Sequence, residues 1–344
     1  MKVKTVVQCV VLVLFMAGVV FFGVFMDKKN AAQGPNYILK MCTQVSDNSI
    51  IAEGLREWSE AVYKRTAGDF RIEVFTSGVF GIDEDIIEQA KLGTNVAILT
   101  DGGRMANYVR EIGIIAMAYI AEDYAELVKI TETEIFQEWD SQLVDNGLRI
   151  LSYNWYDGPR NFFTNRVVNV PSDLNGLRIR TPGSPVWSRS VAALGATPVA
   201  MSWGDAYNAL QTKALDGVEV QTTSAYPSRI YEVTNIMTKT EHFQLANFIM
   251  VGEKWFEKLP QEYQRILMEE CTIAAIENAG KNIERALEYE SLMETAGSMQ
   301  INFVDKRPFI EAAERAYREL GLLELRNRVW AEIGKTIEAQ NEVN

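Results

Sequence analysis

Histidine and cysteine are almost missing from this chain of 344 residues, which holds one histidine and three cysteines. So few thiols exclude a thiolate zinc site, and a histidine-based zinc site or a Ser-His-Asp triad would have to use His242. His242 is accordingly read as structural. Cys42 and Cys271 stand far apart, set no disulfide framework, and are read as two buried free thiols. No Gly-x-Gly-x-x-Gly, Gly-x-x-x-x-Gly-Lys or Gly-x-Ser-x-Gly occurs, so nucleotide binding and acyl transfer have no motif support. Basic residues are in deficit, 34 against 46 acidic ones, and the net charge of -12 argues against nucleic acid as a partner. No cofactor and no metal is implied. Acidity does not exclude an anionic ligand, because one arginine in a cleft can bind a carboxylate inside an acidic protein. The carboxylate pairs Asp83/Asp85 and Glu132/Glu134 could be imagined as acid and base, but fit helix caps or solvated faces better.

What the chain does have is one long apolar run at its start. Lys2 and Lys4 form a basic head, and Val6 to Met26 is apolar apart from Gln8. That core of roughly 20 residues is near a full membrane span. A cut after Ala31-Ala32 with export is the preferred reading, and a retained anchor the alternative. Cys9 lies too early for a lipoprotein cysteine. No second hydrophobic span follows, so the folded part is expected to be soluble and outside the cytoplasm.

The remainder alternates strand and helix patterns, the mark of an α/β fold. Strands are expected at Tyr37 to Gln44, Phe70 to Phe75 and Val96 to Thr100, with helices at Ile50 to Ala67 and Asp83 to Leu92 between them. After a helical region from Ala121 to Leu143, a strand from Leu148 to Tyr156 is expected to break at Asp157-Gly158-Pro159. A second strand-helix unit runs from Leu177 to Gln221, with Ser202 and Asp205 spaced as a capping box. The stretches at Gln89–Val96 and Leu210–Gly217 echo each other faintly, which supports two similarly built lobes. Crossings between them are expected near Asp157–Arg160 and Thr240–Ala246. Beyond Pro260 an apolar stripe through Tyr263, Leu267, Cys271, Ala274, Ala279, Ile283, Ala286 or Leu287, and Met293 predicts one helix of about 50 Å, lying along both lobes.

The chemistry that survives is a pair of arginines beside turns. Arg160 follows Gly158-Pro159, and Arg180 precedes Pro182-Gly183. Alternation places Arg178 and Arg180 on one strand face and Leu177 and Ile179 on the other. A guanidinium fork suits a bidentate carboxylate, but each arginine could equally pair with an acidic residue of the chain.

Three segments carry a family resemblance: Leu174-Asn175-Gly176-Leu177-Arg178-Ile179-Arg180, then Leu194-Gly195-Ala196-Thr197-Pro198-Val199-Ala200-Met201, then Tyr207 to Glu219 with its Leu-Gln-Thr-Lys-Ala-Leu-Asp-Gly-Val-Glu ending. In order and spacing the chain, from about Tyr37 onward, resembles the DctP-type solute-binding proteins of tripartite ATP-independent periplasmic (TRAP) transporters. The resemblance implies a two-lobed periplasmic binding protein fold with hinge strands and a long helix spanning both lobes. Residues 1–33 would be signal peptide or anchor plus linker, 34–157 with 246–285 lobe I, and 158–245 with 286–344 lobe II. It implies a periplasmic protein, not an enzyme, that captures an organic acid in the interdomain cleft and delivers it to TRAP membrane subunits. A membrane-tethered sensor is the alternative, and an enzyme in the same cleft a more distant one. Carried over residue by residue, Arg180 would hold the ligand carboxylate, Arg160 would assist, Asp101 would face the ligand and Trp203 would form an aromatic wall. Thr43 and Gln44 are further candidates. Many members carry an asparagine where this chain has Val220, so Gln221 or a nearby hydroxyl would substitute, or the ligand would differ.

Overall fold

A computed structural model describes residues 34–335. The apolar run, Cys9 and the choice between cleavage and anchorage lie outside those residues. Among the described residues no helix is long and apolar enough to cross a membrane.

Two units of the same build make up most of the molecule. The first runs β1 (Tyr37–Cys42), α1 (Ile50–Arg65), β2 (Phe70–Phe75), α2 (Asp83–Lys91) and β3 (Val96–Asp101), then turns at once into a four-residue helix, α3 (Gly102–Met105). Helix α1 starts where the Ser49 hydroxyl accepts from the Ala52 amide at 3.2 Å, and it buries Leu55, Trp58 and Val62. Two further helices follow, α4 (Tyr124–Thr131) and α5 (Glu134–Asp145). The single helical region expected there is split by Thr133, whose hydroxyl caps α5 by accepting from Phe136 at 3.3 Å.

After the long strand β4 (Leu148–Thr164), the second unit runs β5 (Arg178–Thr181), α6 (Pro185–Ala193), β6 (Thr197–Ala200), α7 (Trp203–Gln211) and β7 (Gly217–Gln221). It too ends in a four-residue helix, α8 (Thr222–Ala225). The expected capping box does not form. Ser202 stands at the start of α7, but its hydroxyl donates to the Asp205 carboxylate at 2.6 Å instead of accepting from the helix.

All the strands join one sheet, ordered β2-β1-β3-β8-β4-β7-β5-β6, with β8 (Ile236–Gly252) and β4 as antiparallel neighbours at its middle. One unit lies on each side of that pair. The expected break at Asp157-Gly158-Pro159 is corrected here: β4 continues through it for 17 residues. Gly158 takes φ of 108°, which a side chain would resist, and the register with β8 slips between Tyr156 and Gly158. A bulge therefore absorbs the residues that would otherwise end the strand. Thr240 to Ala246 is likewise continuous strand within β8.

After the short α9 (Glu253–Phe256) comes the 35-residue helix α10 (Gln261–Thr295), which packs on α1, β4 and α8. It supplies Cys271 to a core with Leu39, Trp58 and Trp155, and Met293 to a separate core with Phe163, Leu210 and Val218. The first core belongs to the first unit and the second to the second, so α10 ties the lobes together. Its apolar stripe is largely the one expected, with Leu267, Cys271, Ala274, Ala279 and Met293 buried, but it is interrupted. Ile283 and Leu287 are exposed, and Asn278 and Asn282 are buried in their stead. Asn278 Nδ2 donates to Ile50 O, in the first turn of α1, at 2.6 Å and Asn282 Nδ2 to Tyr156 O of β4 at 2.7 Å, so side-chain amides pin the helix to both elements. Strand β9 (Gln300–Phe303) adds to β8, and α11 (Arg307–Glu319) and α12 (Leu323–Glu332) close the described chain. Cys42 and Cys271 are free and buried, as expected.

Asn282→Ala leaves the Tyr156 carbonyl, at the bulge of β4, without its buried donor. The expected loss is about 1–3 kcal/mol of unfolding free energy, read from the shift in urea midpoint; an unchanged midpoint would show that the contact carries no stability.

Candidate functional site

The carboxyl ends of the parallel strands of both units meet at one cleft, the position at which open α/β sheets bind ligands. The two units supply equivalent residues. Asp101 ends β3 and pairs with Asn247 of β8, and Gln221 ends β7 and pairs with Arg160 of β4. All four line one cleft that opens to solvent. Thr43, Gln44, Arg180 and Trp203 line it too, so every candidate read from the sequence lies there.

Their occupations differ. Arg160 is buried, and four of its five N–H donors are engaged: it donates to the Glu219 carboxylate from Nε and from Nη2 (2.8 Å), to Glu219 O at 2.7 Å and to Gln221 Oε1 at 2.9 Å. Burial works to keep Glu219 neutral, but Arg160 outweighs it and holds that carboxyl below its ordinary value. Gln221 is a bridge between Arg160 and Asp157, with its amide also donating to Ser224 Oγ at 2.8 Å. Asp157 accepts from Thr223 Oγ1 at 2.9 Å as well, and burial pushes its carboxyl up despite these donors. His242 stacks on Phe162 with centroids 4.4 Å apart and bonds Thr240 Oγ1 at 2.7 Å. Its Nε2 stands 3.8 Å from Glu219, too far for a hydrogen bond, and burial holds the imidazole neutral. That is a structural place behind the cleft, as expected.

Arg180 is the exception among the arginines. It is 3% exposed, donates from Nε to Met201 O at 2.9 Å, and lies 5.3 Å from the Trp203 ring. No carboxylate among the described residues pairs with it. Burial, and then the neighbouring Arg160 charge, pull its guanidinium down to about 9. Arg178, on the same strand face, is exposed and paired with Asp216 at 2.8 Å. A buried cation without a counter-ion, opening onto a cleft, is built to receive an anion.

Asp101 is less available than its position suggests. It caps α3 through the Arg104 amide at 3.1 Å, pairs with the Arg104 guanidinium, and accepts from Trp187 Nε1 at 3.0 Å. The Trp187 bond crosses the cleft. So do Ser184 Oγ to Gly103 O at 2.7 Å and Ser46 Oγ to Ser228 Oγ at 3.3 Å, which makes Asp101 part of the contact between lobes. Gln44 Nε2 donates to Gly81 O at 2.7 Å, and Thr43 Oγ1 accepts from Val45 N at 3.2 Å. Lining residues that sequence reasoning missed include Asp83, Arg104, Asp157, Trp187 and Asn247. In the sequence Asp83, weighed with Asp85 as an acid-base pair, reads as a helix cap or solvated face, and Asp157 only as part of a strand break.

A family model described as bacterial extracellular solute-binding protein, family 7 (DctP), matches residues 41–322. The chain belongs to this family. A TRAP periplasmic solute-binding protein from Escherichia fergusonii, solved in an apo open form, is 34% identical with a TM-score of 0.77, over 86% of this chain and 99% of that one. One from Ochrobacterium anthropi, solved with bound L-fuconate, is 27% identical with a TM-score of 0.84, over 87% of this chain and 99% of that one. The sialic acid-binding periplasmic protein of Vibrio cholerae is 26% identical across 82% of this chain and 87% of its own length. The two-lobed TRAP solute-binding fold, periplasmic and without enzymatic activity, is thus the frame in which these residues act.

In this solute-binding protein Glu219 holds Arg160 in place and cancels its charge. Glu219→Gln leaves a buried guanidinium uncompensated, with Arg180 beside it. It should lower stability by about 3–5 kcal/mol in urea denaturation, and a variant as stable as the parent would refute the neutralising role.

Proposed function

We propose that this protein captures an organic acid between its lobes and presents it to the membrane subunits of a TRAP transporter. The observation that carries the reading is Arg180, a buried guanidinium without a carboxylate partner among the described residues, at the end of a strand that opens onto the cleft. The relative solved with L-fuconate, a sugar acid, supports it. In this reading Arg180 takes the ligand carboxylate through its two free Nη groups, Trp203 packs against the ligand, and Arg160 contributes field and shape more than a second fork. Asp101, Gln221, Gln44 and Thr43 frame the pocket and its bonds. In the same reading lobe I is residues 34–157 with 246–285, and lobe II is 158–245 with the described residues from 286 onward. The division falls on the bulge of β4 and on β8, the two strands about which the lobes would close.

Magnitudes decide how much Arg180 can do alone. A charge-assisted bond contributes about 1.5–3 kcal/mol net, while micromolar affinity needs about 8 kcal/mol. The difference must come from burying the ligand as the lobes close over it. Closure therefore belongs to affinity as well as to delivery, since the closed form is the one that membrane subunits would recognise.

Arg180→Lys keeps the charge but loses the planar fork. Titration calorimetry with an acid first found by thermal-shift screening should show binding weakened by roughly 10- to 100-fold. Unchanged affinity would remove Arg180 as the anchor.

A further inference from the structure

The cleft has three cations on its lining, Arg104, Arg160 and Arg180. Two are already spent on carboxylates of the protein. Arg160 is held by Glu219, and Arg104 pairs with Asp101, with Asp83 at 3.0 Å and with Glu84 at 3.3 Å. Arg104 thus serves three carboxylates, and its neighbourhood stays negative. Only Arg180 is left to meet an anion from outside.

The wall opposite Arg180 has the reverse need. Asp83 opens α2 and is 7% exposed, yet its Oδ1 is buried without any hydrogen-bond partner. Thr100, 1% exposed, has its Oγ1 in the same condition, and both residues line the cleft. Buried polar atoms left unpaired are costly; the Asp83 oxygen calls for a donor from elsewhere, and the Thr100 hydroxyl for a partner of either kind. The amino end of α2 faces the turn after Arg180, since Glu84 Oε1 lies 3.6 Å from where a Cβ would sit on Gly183. A ligand held at Arg180 in lobe II therefore points its far end toward Asp83 and Thr100 in lobe I.

We infer that the ligand is a singly charged carboxylate whose far end donates hydrogen bonds to Asp83 and Thr100, and that the site rejects dicarboxylates. The inference rests on the carboxylate-anchor reading and adds the selectivity. A second carboxylate finds no free cation at the Asp83 end and meets like charge instead, a repulsive element of the kind that sets specificity. A hydroxyl or an ammonium meets an acceptor. Thr100, whose hydroxyl can donate or accept, serves either one.

Two matched pairs of probes separate the possibilities: galactonate against galactarate for a hydroxyl end, and 6-aminohexanoate against adipate for an ammonium end. In calorimetry on the whole protein, at least one monoacid should bind, and at least roughly tenfold tighter than its diacid partner. The pair that binds identifies the donor. Asp83→Asn removes the repelling charge and should shrink that ratio by roughly fivefold or more, with a thermal melt reporting that the variant is folded. If Asp83→Asn does not fold, Thr100→Val gives the second reading, an expected loss of roughly threefold or more in monoacid affinity. A diacid that binds as tightly as its partner, failure of both monoacids to bind, or a ratio that Asp83→Asn leaves unchanged overturns the selectivity. Monoacid binding that is unaffected by Arg180→Lys instead overturns the anchor on which it rests.

Discussion

The ion pair of Arg160 with Glu219 sets the terms for everything else in the cleft. Both side chains are buried, and each would be intolerable there alone. Joined by bonds to carboxylate and carbonyl, they form a neutral block that also positions Gln221 and, through it, Asp157. Because Glu219 is consumed in this way, it cannot serve Arg180. The unpaired state of Arg180 is thus a consequence of its neighbour's pairing, and the field of Arg160 then makes that state more demanding still.

The architecture supplies the second half of the condition. Two similar units point their strand ends at each other across β4 and β8, so residues at matching positions, Asp101 and Gln221, come from different lobes. The same long strands belong to both lobes, and α10 bridges both cores. Relative motion is thereby restricted to bending at a few places, of which the bulge at Tyr156–Gly158 is the best defined. Asn282 holds α10 to the carbonyl of Tyr156, so the helix reaches the hinge itself and not only the lobes around it. Lobe closure and cleft chemistry then share residues: Trp187 stacks near Arg160 at 4.9 Å while donating across the cleft to Asp101.

Local signals were legible where local physics decides them. Acidic residues open α2, and the order of strands and helices follows the hydrophobic periods. The misplaced capping box at Ser202 is a local failure, where Asp205 takes the hydroxyl for itself, but the failures that shape the site are non-local. Asp157-Gly158-Pro159 has the composition of a stop, and only the pairing of both its flanks with β8 turns it into a bulge. Asn278 and Asn282 interrupt an apolar stripe because they answer carbonyls 228 and 126 residues away in sequence. Among site residues, Arg178 and Arg180 are indistinguishable by residue type and strand face. Depth separates them, one meeting Asp216 at the surface and the other meeting no acid in the interior. Asp83 was hidden for the same reason, since a helix start gains a site role only through what the other lobe brings opposite it.

Val220 shows how anchor and selectivity can part company. The position is apolar and buried on the cleft lining, where the family resemblance implies an asparagine, and the adjacent Gln221 does not replace that amide. Its oxygen takes Arg160 and its nitrogen is divided between Asp157 and Ser224, so its polar capacity is already committed. A carboxylate at Arg180 therefore gains no amide donor from this strand end. The polar atoms still unpaired lie instead on the opposite lobe, at Asp83 and Thr100. A ligand that satisfies both walls must be long enough to span the cleft, and its contacts with the second wall form only as the lobes come together. Affinity and closure are thus coupled through the far end of the ligand, which makes the second wall the place where related acids are told apart.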